Sequence, residues 1–233
     1  MQIVVVDSIE QGIERAKEIL YQQVDRKTAL FLSGGKTPKP LYECLAKEQI
    51  LKPASVGLID ERYGEVMHEN SNEKMVKDSG LLYYLEKIDA KFFPILQAGL
   101  RREETADKYD QTVRDLFFHM PKNIGILGIG TDGHIAGIVP NRKDFIDPLF
   151  AETKNDVFVS SFNDEKGIYK ERISLTFAGL SLLDFMLVFV FGDDKKQALT
   201  NMFTTGSLEE VPARFFNMSE ASKKTLIITD QKV

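Results

Sequence analysis

Gly130-Thr131-Asp132-Gly133-His134 sets an imidazole two residues after a carboxylate, among glycines that let backbone come close to a ligand. His134 can take or give a proton near neutral pH, and Asp132 can orient the ring or hold the turn. His134 is therefore the expected catalytic group. The other two histidines, His68 and His119, lack this setting. Residues 123–129, just before, are apolar apart from Asn123 and the glycines, the pattern of a parallel strand covered on both faces. At the carboxyl end of such a strand neighbouring loops converge, and the next helix points its amino end at a ligand. Asp132 and His134 are thus expected at the functional edge of a sheet.

A second chemistry is anion binding. Ser33-Gly34-Gly35-Lys36-Thr37-Pro38 follows a predicted strand at 28–32. Adjacent glycines let N–H groups turn inward, the Ser33 and Thr37 hydroxyls add donors, and Pro38 suits the first turn of a helix carrying Leu41, Tyr42 and Leu45. This is a phosphate cradle but not a Walker A loop, whose earlier glycine would fall at Leu30. Gly128, Gly130 and Gly133 match G-x-G-x-x-G, yet Pro140 leaves little room for the helix a dinucleotide needs. The acid expected about 20 residues further on is also missing, since Thr153 stands there with Glu152 beside it and no strand begun.

Charged groups at other strand ends complete the set. Asp60-Glu61-Arg62 follows a predicted strand at 55–59, where burial is costly unless the charges pair or meet a ligand. Arg172 opens a predicted strand at 173–176. Lys195 falls in a first helical turn after Gly192, where it opposes the helix dipole unless an anion binds.

The elements that must position these groups alternate strand and helix. Strands are expected at 3–6, 28–32, 55–59, around Phe93, 123–129, 157–161, 173–176, 186–191 and 225–229. Helices are expected after Ser8, over 74–82 with an N-cap at Asn70 and Glu73 in its third position, over 103–120, over 193–199, and briefly at 212–216. Residues 141–156 read as a loop with a short helix, and Lys166-Gly167 as a turn. With no repeat and no linker rich in Pro, Gly or Ser, the 233 residues predict one α/β domain, Rossmann-like and doubly wound, with a mostly parallel sheet and helices on both faces.

Composition excludes several classes. Hydrophobic residues make up 43% and charged residues 28%, and the net charge of −5 comes from intermixed signs, which is no nucleic-acid footprint. The single cysteine, Cys44, permits no internal disulfide and points to a reducing, cytoplasmic setting. No signal-peptide pattern and no apolar run of about 18 residues is present, so no membrane partner is expected. His68, His119, His134 and Cys44 show no metal-ligand spacing. A monomer or small homo-oligomer is expected.

Four signatures, read together, carry a resemblance: Ser33-Gly34-Gly35-Lys36-Thr37-Pro38, Asp60-Glu61-Arg62 with Ser71-Asn72, the stretch from Gly128 to His134, and Gly192 followed by Lys195. In order and spacing they resemble the 6-phosphogluconolactonase family, which shares its fold with glucosamine-6-phosphate deaminases. The resemblance implies a sugar-phosphate ligand and hydrolysis of 6-phosphogluconolactone in the pentose phosphate pathway, with no metal or organic cofactor. It puts His134 in the place of the catalytic histidine and Asp132 in that of its neighbouring acid. Ser33, Gly34, Gly35, Thr37, Asp60, Arg62, Arg172 and Lys195 would surround the ligand.

The deaminase relatives are the nearest competitor, and a non-catalytic sugar-phosphate sensor is the third class. Deaminases carry a further glutamate in a phenylalanine-asparagine-glutamate-proline run, where this chain has Gly137-Ile138-Val139-Pro140. They also usually have tyrosine where Arg62 stands. A sensor would carry an added partner-binding module, and no such segment is visible. The chain departs from the lactonase pattern too, at Gly137, at Val139, and at Tyr63-Gly64, where a valine-proline pair is usual.

Overall fold

The structure, a computed structural model, describes residues 1–141, 157–165 and 168–232. Its strands are β1 (Gln2–Val5), β2 (Thr28–Leu32), β3 (Ser55–Leu58), β4 (Asp60–Arg62), β5 (Lys91–Phe92), β6 (Lys122–Leu127), β7 (Val159–Asn163), β8 (Glu171–Leu175), β9 (Phe185–Val190) and β10 (Thr225–Thr229). Seven form a parallel sheet in the order β1-β10-β9-β6-β2-β3-β5. β2 and β10 are buried at every residue, which explains the apolar runs 29–32 and 226–228 within them. Helices α1 (Ile9–Gln23), α2 (Lys39–Glu48), α3 (Asn72–Asp78), α4 (Leu81–Lys87), α5 (Arg102–His119), α6 (Phe177–Ser181), α7 (Lys196–Met202) and α8 (Ser219–Lys223) flank it.

The doubly wound expectation holds, with one addition. β4, β7 and β8 leave the parallel sheet and form a small antiparallel one, in the order β4-β8-β7. Ile59, fully buried, joins the two: its N–H donates to Leu32 O at 2.9 Å, and its carbonyl accepts from Leu175 N at 2.9 Å. Because a buried peptide must pair both its groups, this residue belongs to both sheets. Asp60 and Arg62 are thereby carried to the mouth of β2.

Several local expectations shift. The helix expected over 74–82 is broken at Gly80, whose φ of 82° lies in the left-handed region, so α3 and α4 are separate. Its N-cap is Ser71, which accepts from Lys74 N, rather than Asn70. Glu73 then falls one position too early for a capping box. Among the described residues no helix follows His134 directly; Ile135 bridges back to Ile138, and Ala136 takes a φ of 53°. The expected loop at 141–156 lies, from 142 onward, outside the described residues, as does the Lys166-Gly167 turn.

β3 outruns its short neighbour β5, and a side chain makes up the difference. Tyr109, buried on α5, accepts from Leu58 N at 2.6 Å and donates to Leu58 O at 2.8 Å. A Cβ at Gly57 would sit 2.8 Å from that hydroxyl. Tyr109→Phe leaves both Leu58 groups unpaired in the core, and a loss of about 1–3 kcal/mol in stability is expected from urea unfolding.

Candidate active site

The chain reverses its direction of travel across the sheet between β2 and β6: β3 and β5 lie to one side, β9 and β10 to the other. Such a switch point opens a crevice at the carboxyl ends of the strands. Here it is a cleft of about 520 Å³ lined by Ser33, Gly34, Gly35, Thr37, Asp60, Arg62, His134, Arg172 and Lys195. Every expected site residue is therefore present in its wall except Asp132, which stands behind His134.

The Asp132 carboxylate accepts from His134 Nδ1 at 2.6 Å and from the His134 backbone N–H at 3.1 Å. Partial burial works to raise the Asp132 pKa, but these hydrogen bonds and the charge of the imidazolium bring it down to about 2. Since this lies below the ordinary 3.8, the carboxylate's stabilising contribution is present above that ordinary value and is lost as pH falls through about 2. An ionised Asp132 only accepts, so Nδ1 carries the proton and Nε2 keeps its lone pair when the ring is neutral. The turn is built around the ring. A Cβ at Gly130 would lie 2.0 Å from Nδ1, and Gly133 takes a φ of 86° that glycine adopts freely.

Opposite the imidazole, Arg62 and Arg172 are register partners on β4 and β8. Like charges facing each other across a ladder repel, and each is only partly compensated. Arg62 NH1 donates to Asn70 O at 2.8 Å, and Arg172 NH2 meets Asp164 at 3.2 Å. Among the described residues, the buried side-chain polar atoms without a partner include Arg62 Nε, Arg172 Nε, Ser33 Oγ and Asn72 Oδ1, all on residues of this wall. Buried polar atoms are seldom left unpaired, so their concentration here makes this wall the candidate ligand site.

The first turn of α3 fixes the rest of the wall. Glu61, fully buried, accepts from Arg62 N, Asn72 N, Glu73 N and Ser71 Oγ at 2.7–3.0 Å. Burial pushes its carboxyl above the ordinary range, against the pull of the three backbone N–H groups. Asn72, thus held, donates to Asp60 O at 2.8 Å and packs so tightly on the loop that a Cβ at Gly34 would lie 1.8 Å from its Oδ1. Glu61 is therefore a support rather than a ligand.

Sequence reasoning assigned no role to several wall residues: Lys36, Ala136, Phe191 and Asp194. Lys36 was legible inside the glycine loop. The left-handed Ala136 carries no signal in its residue type. Away from the cleft, Cys44 gathers with Glu14 and Glu48, whose carboxylates bind Lys17 at 2.6 and 3.2 Å.

The model of the family described as glucosamine-6-phosphate isomerases/6-phosphogluconolactonase matches residues 4–227. This chain belongs to that family. A 6-phosphogluconolactonase of Thermotoga maritima is 29% identical, over 92% of this chain and 90% of its own length. Among solved structures, a 6-phosphogluconolactonase from Shewanella baltica superposes with a TM-score of 0.81 at 20% identity, covering 98% of this chain and 96% of that one. A monomeric glucosamine-6-phosphate deaminase reaches 0.76 at 19% identity, covering 99% and 98%. Fold alone therefore does not separate the family's two chemistries. Val139, five residues after His134, is partly buried and packs against the core.

Two measurements probe this construction. Ring ¹⁵N shifts should report neutral His134 as the Nδ1–H tautomer, and Asp132→Asn should abolish that preference. Glu61→Gln turns an NH2 toward donors that need an acceptor, so denaturant unfolding should show a loss of about 1–3 kcal/mol.

Proposed function

We propose that this chain hydrolyses 6-phosphogluconolactone to 6-phosphogluconate, with His134 as general base. The observation that carries the reading is an imidazole of set tautomer lining one cleft with two arginines whose Nε groups are unpaired, with no carboxylate in residues 135–140. The lactonase names of its relatives support the same chemistry. A lactone is an activated ester, so its hydrolysis asks for one aimed water and charge to hold an oxyanion. Deamination with ring opening asks for proton transfers at several positions, and residues 135–140 offer no second acid for them.

In this reading a water oxygen bonds to the lactone carbonyl carbon as its proton passes to His134 Nε2. The carbonyl oxygen becomes an oxyanion held by cationic side chains. Collapse of the tetrahedral species breaks the bond to the ring oxygen, which recovers the proton from Nε2 and leaves as a hydroxyl. Asp132 keeps the ring oriented throughout and stabilises the imidazolium. Arg62, Arg172, Lys195 and the loop from Ser33 to Thr37 supply the positive charge and N–H donors for the phosphate. Among the described residues no helix is long and apolar enough to cross a membrane, and the single cysteine supports a cytoplasmic setting.

Purified protein should open the lactone faster than its spontaneous hydrolysis and release no ammonia from glucosamine-6-phosphate. His134→Gln should lower turnover by about 10²-fold or more while keeping the fold. Steady ammonia release, with no lactonase activity above the His134→Gln control, would replace this reading by the deaminase.

A further inference from the structure

The geometry points to His68 as the residue that positions Arg62 for the substrate's phosphate, an inference that rests on the reading of Arg62 as a ligand. The chain leaves β4 at Arg62 and re-enters regular structure at α3. Between them lies a loop bent sharply enough to hold Met67 at a φ of 62°. The His68 ring spans its interior. Nδ1 accepts from Asn70 N at 3.2 Å, and Nε2 lies 2.9 Å from Arg62 O. A backbone N–H can only donate and a carbonyl can only accept, so Nδ1 is bare and Nε2 carries the hydrogen.

These bonds close a circuit through the guanidinium. The Asn70 carbonyl accepts from Arg62 NH1 at 2.8 Å, so the residue whose N–H the His68 ring holds also holds the side chain of Arg62. Arg62 is thus tied at both its carbonyl and its NH1, and its buried Nε is left without a protein partner. Without the circuit, repulsion from Arg172 across the ladder would favour swinging Arg62 outward. The loop backbone is shaped for the ring as well. His68 N donates to Glu65 O at 3.1 Å, and Ser71 N donates to His68 O at 2.9 Å. At Gly64 a Cβ would come within 3.0 Å of the ring's Cδ2. A side chain at Gly64 would therefore press on this imidazole. Glu61 secures the far end of the same segment, while the His68 ring bonds both to Arg62 O and to Asn70, the residue that grips the guanidinium.

The test removes the two polar bonds and keeps the ring. His68→Phe should raise KM for the lactone and the dissociation constant of 6-phosphogluconate together, by about tenfold, the scale of one lost hydrogen bond to a charged group. Turnover at saturation should stay within about twofold. In an Arg62→Ala background the same change should have no further effect on either constant, because a residue acting through Arg62 has nothing left to position. His68→Gln, which can keep a donor toward Arg62 O, should recover part of the loss, and it carries the test if the Phe variant does not fold. The Arg62 Nε–H signal in ¹⁵N spectra, sharp in the wild type and broadened in the variants, reads positioning without any substrate. Unchanged affinity beside a working wild type, an effect that persists without Arg62, or an unaltered Nε–H signal would each overturn the role of His68. A wild type that neither binds 6-phosphogluconate nor opens the lactone would instead overturn the functional reading, while the Nε–H signal would still decide the positioning.

Discussion

Both sheets meet at a buried residue, Ile59. Ile59 donates to β2 and accepts from β8, and since neither of its polar groups can reach water, neither bond can be given up cheaply. The consequence is positional. Where β2 ends in the glycine loop, β4 begins beside it, and Asp60 and Arg62 face the cleft with Arg172 opposite. A parallel sheet alone would offer the glycine loop and the histidine turn. The small antiparallel sheet brings both arginines.

The site then follows a division of labour. Groups placed to meet a ligand, His134, Arg62 and Arg172 among them, are each held by a second group placed away from it. Asp132 sets the ring of His134, Asn70 and Asp164 engage the arginines, and Glu61 anchors the start of α3. Glycines stand where these supports press closest: a side chain at Gly34 would displace Asn72, and one at Gly130 would displace the imidazole. Membership of a family with two chemistries gives these details their weight. The fold is common to both, so the choice between them turns on which protons can be moved, and the segment from Ile135 to Pro140 holds no carboxylate.

Much of this was legible in the residues themselves. The buried strands announced themselves as unbroken apolar runs, because covering on both faces removes alternation. The ranges 28–32 and 225–229 agree with β2 and β10 to the residue. The glycine loop and the Asp132-His134 pair were visible because close backbone approach and proton transfer each demand particular residue types at short spacing. Local sequence also contained the N-cap at Ser8 and the break at Gly80, although the weight of helical periodicity hid the latter.

What tertiary structure alone decided is pairing between distant segments. That Asp60-Glu61-Arg62 would leave one sheet for another, that Arg62 would face Arg172, and that Glu61 would cap a helix eleven residues on are long-range outcomes. Charge at a strand end says only that burial needs compensation, not which group supplies it. Likewise Tyr109 reads as one more apolar helix position, and its hydroxyl acquires meaning only because β5 stops short of Leu58. Sequence determines which groups can bond; where two remote backbones are brought within 3 Å of each other is settled by packing the whole core, and no local pattern carries that information.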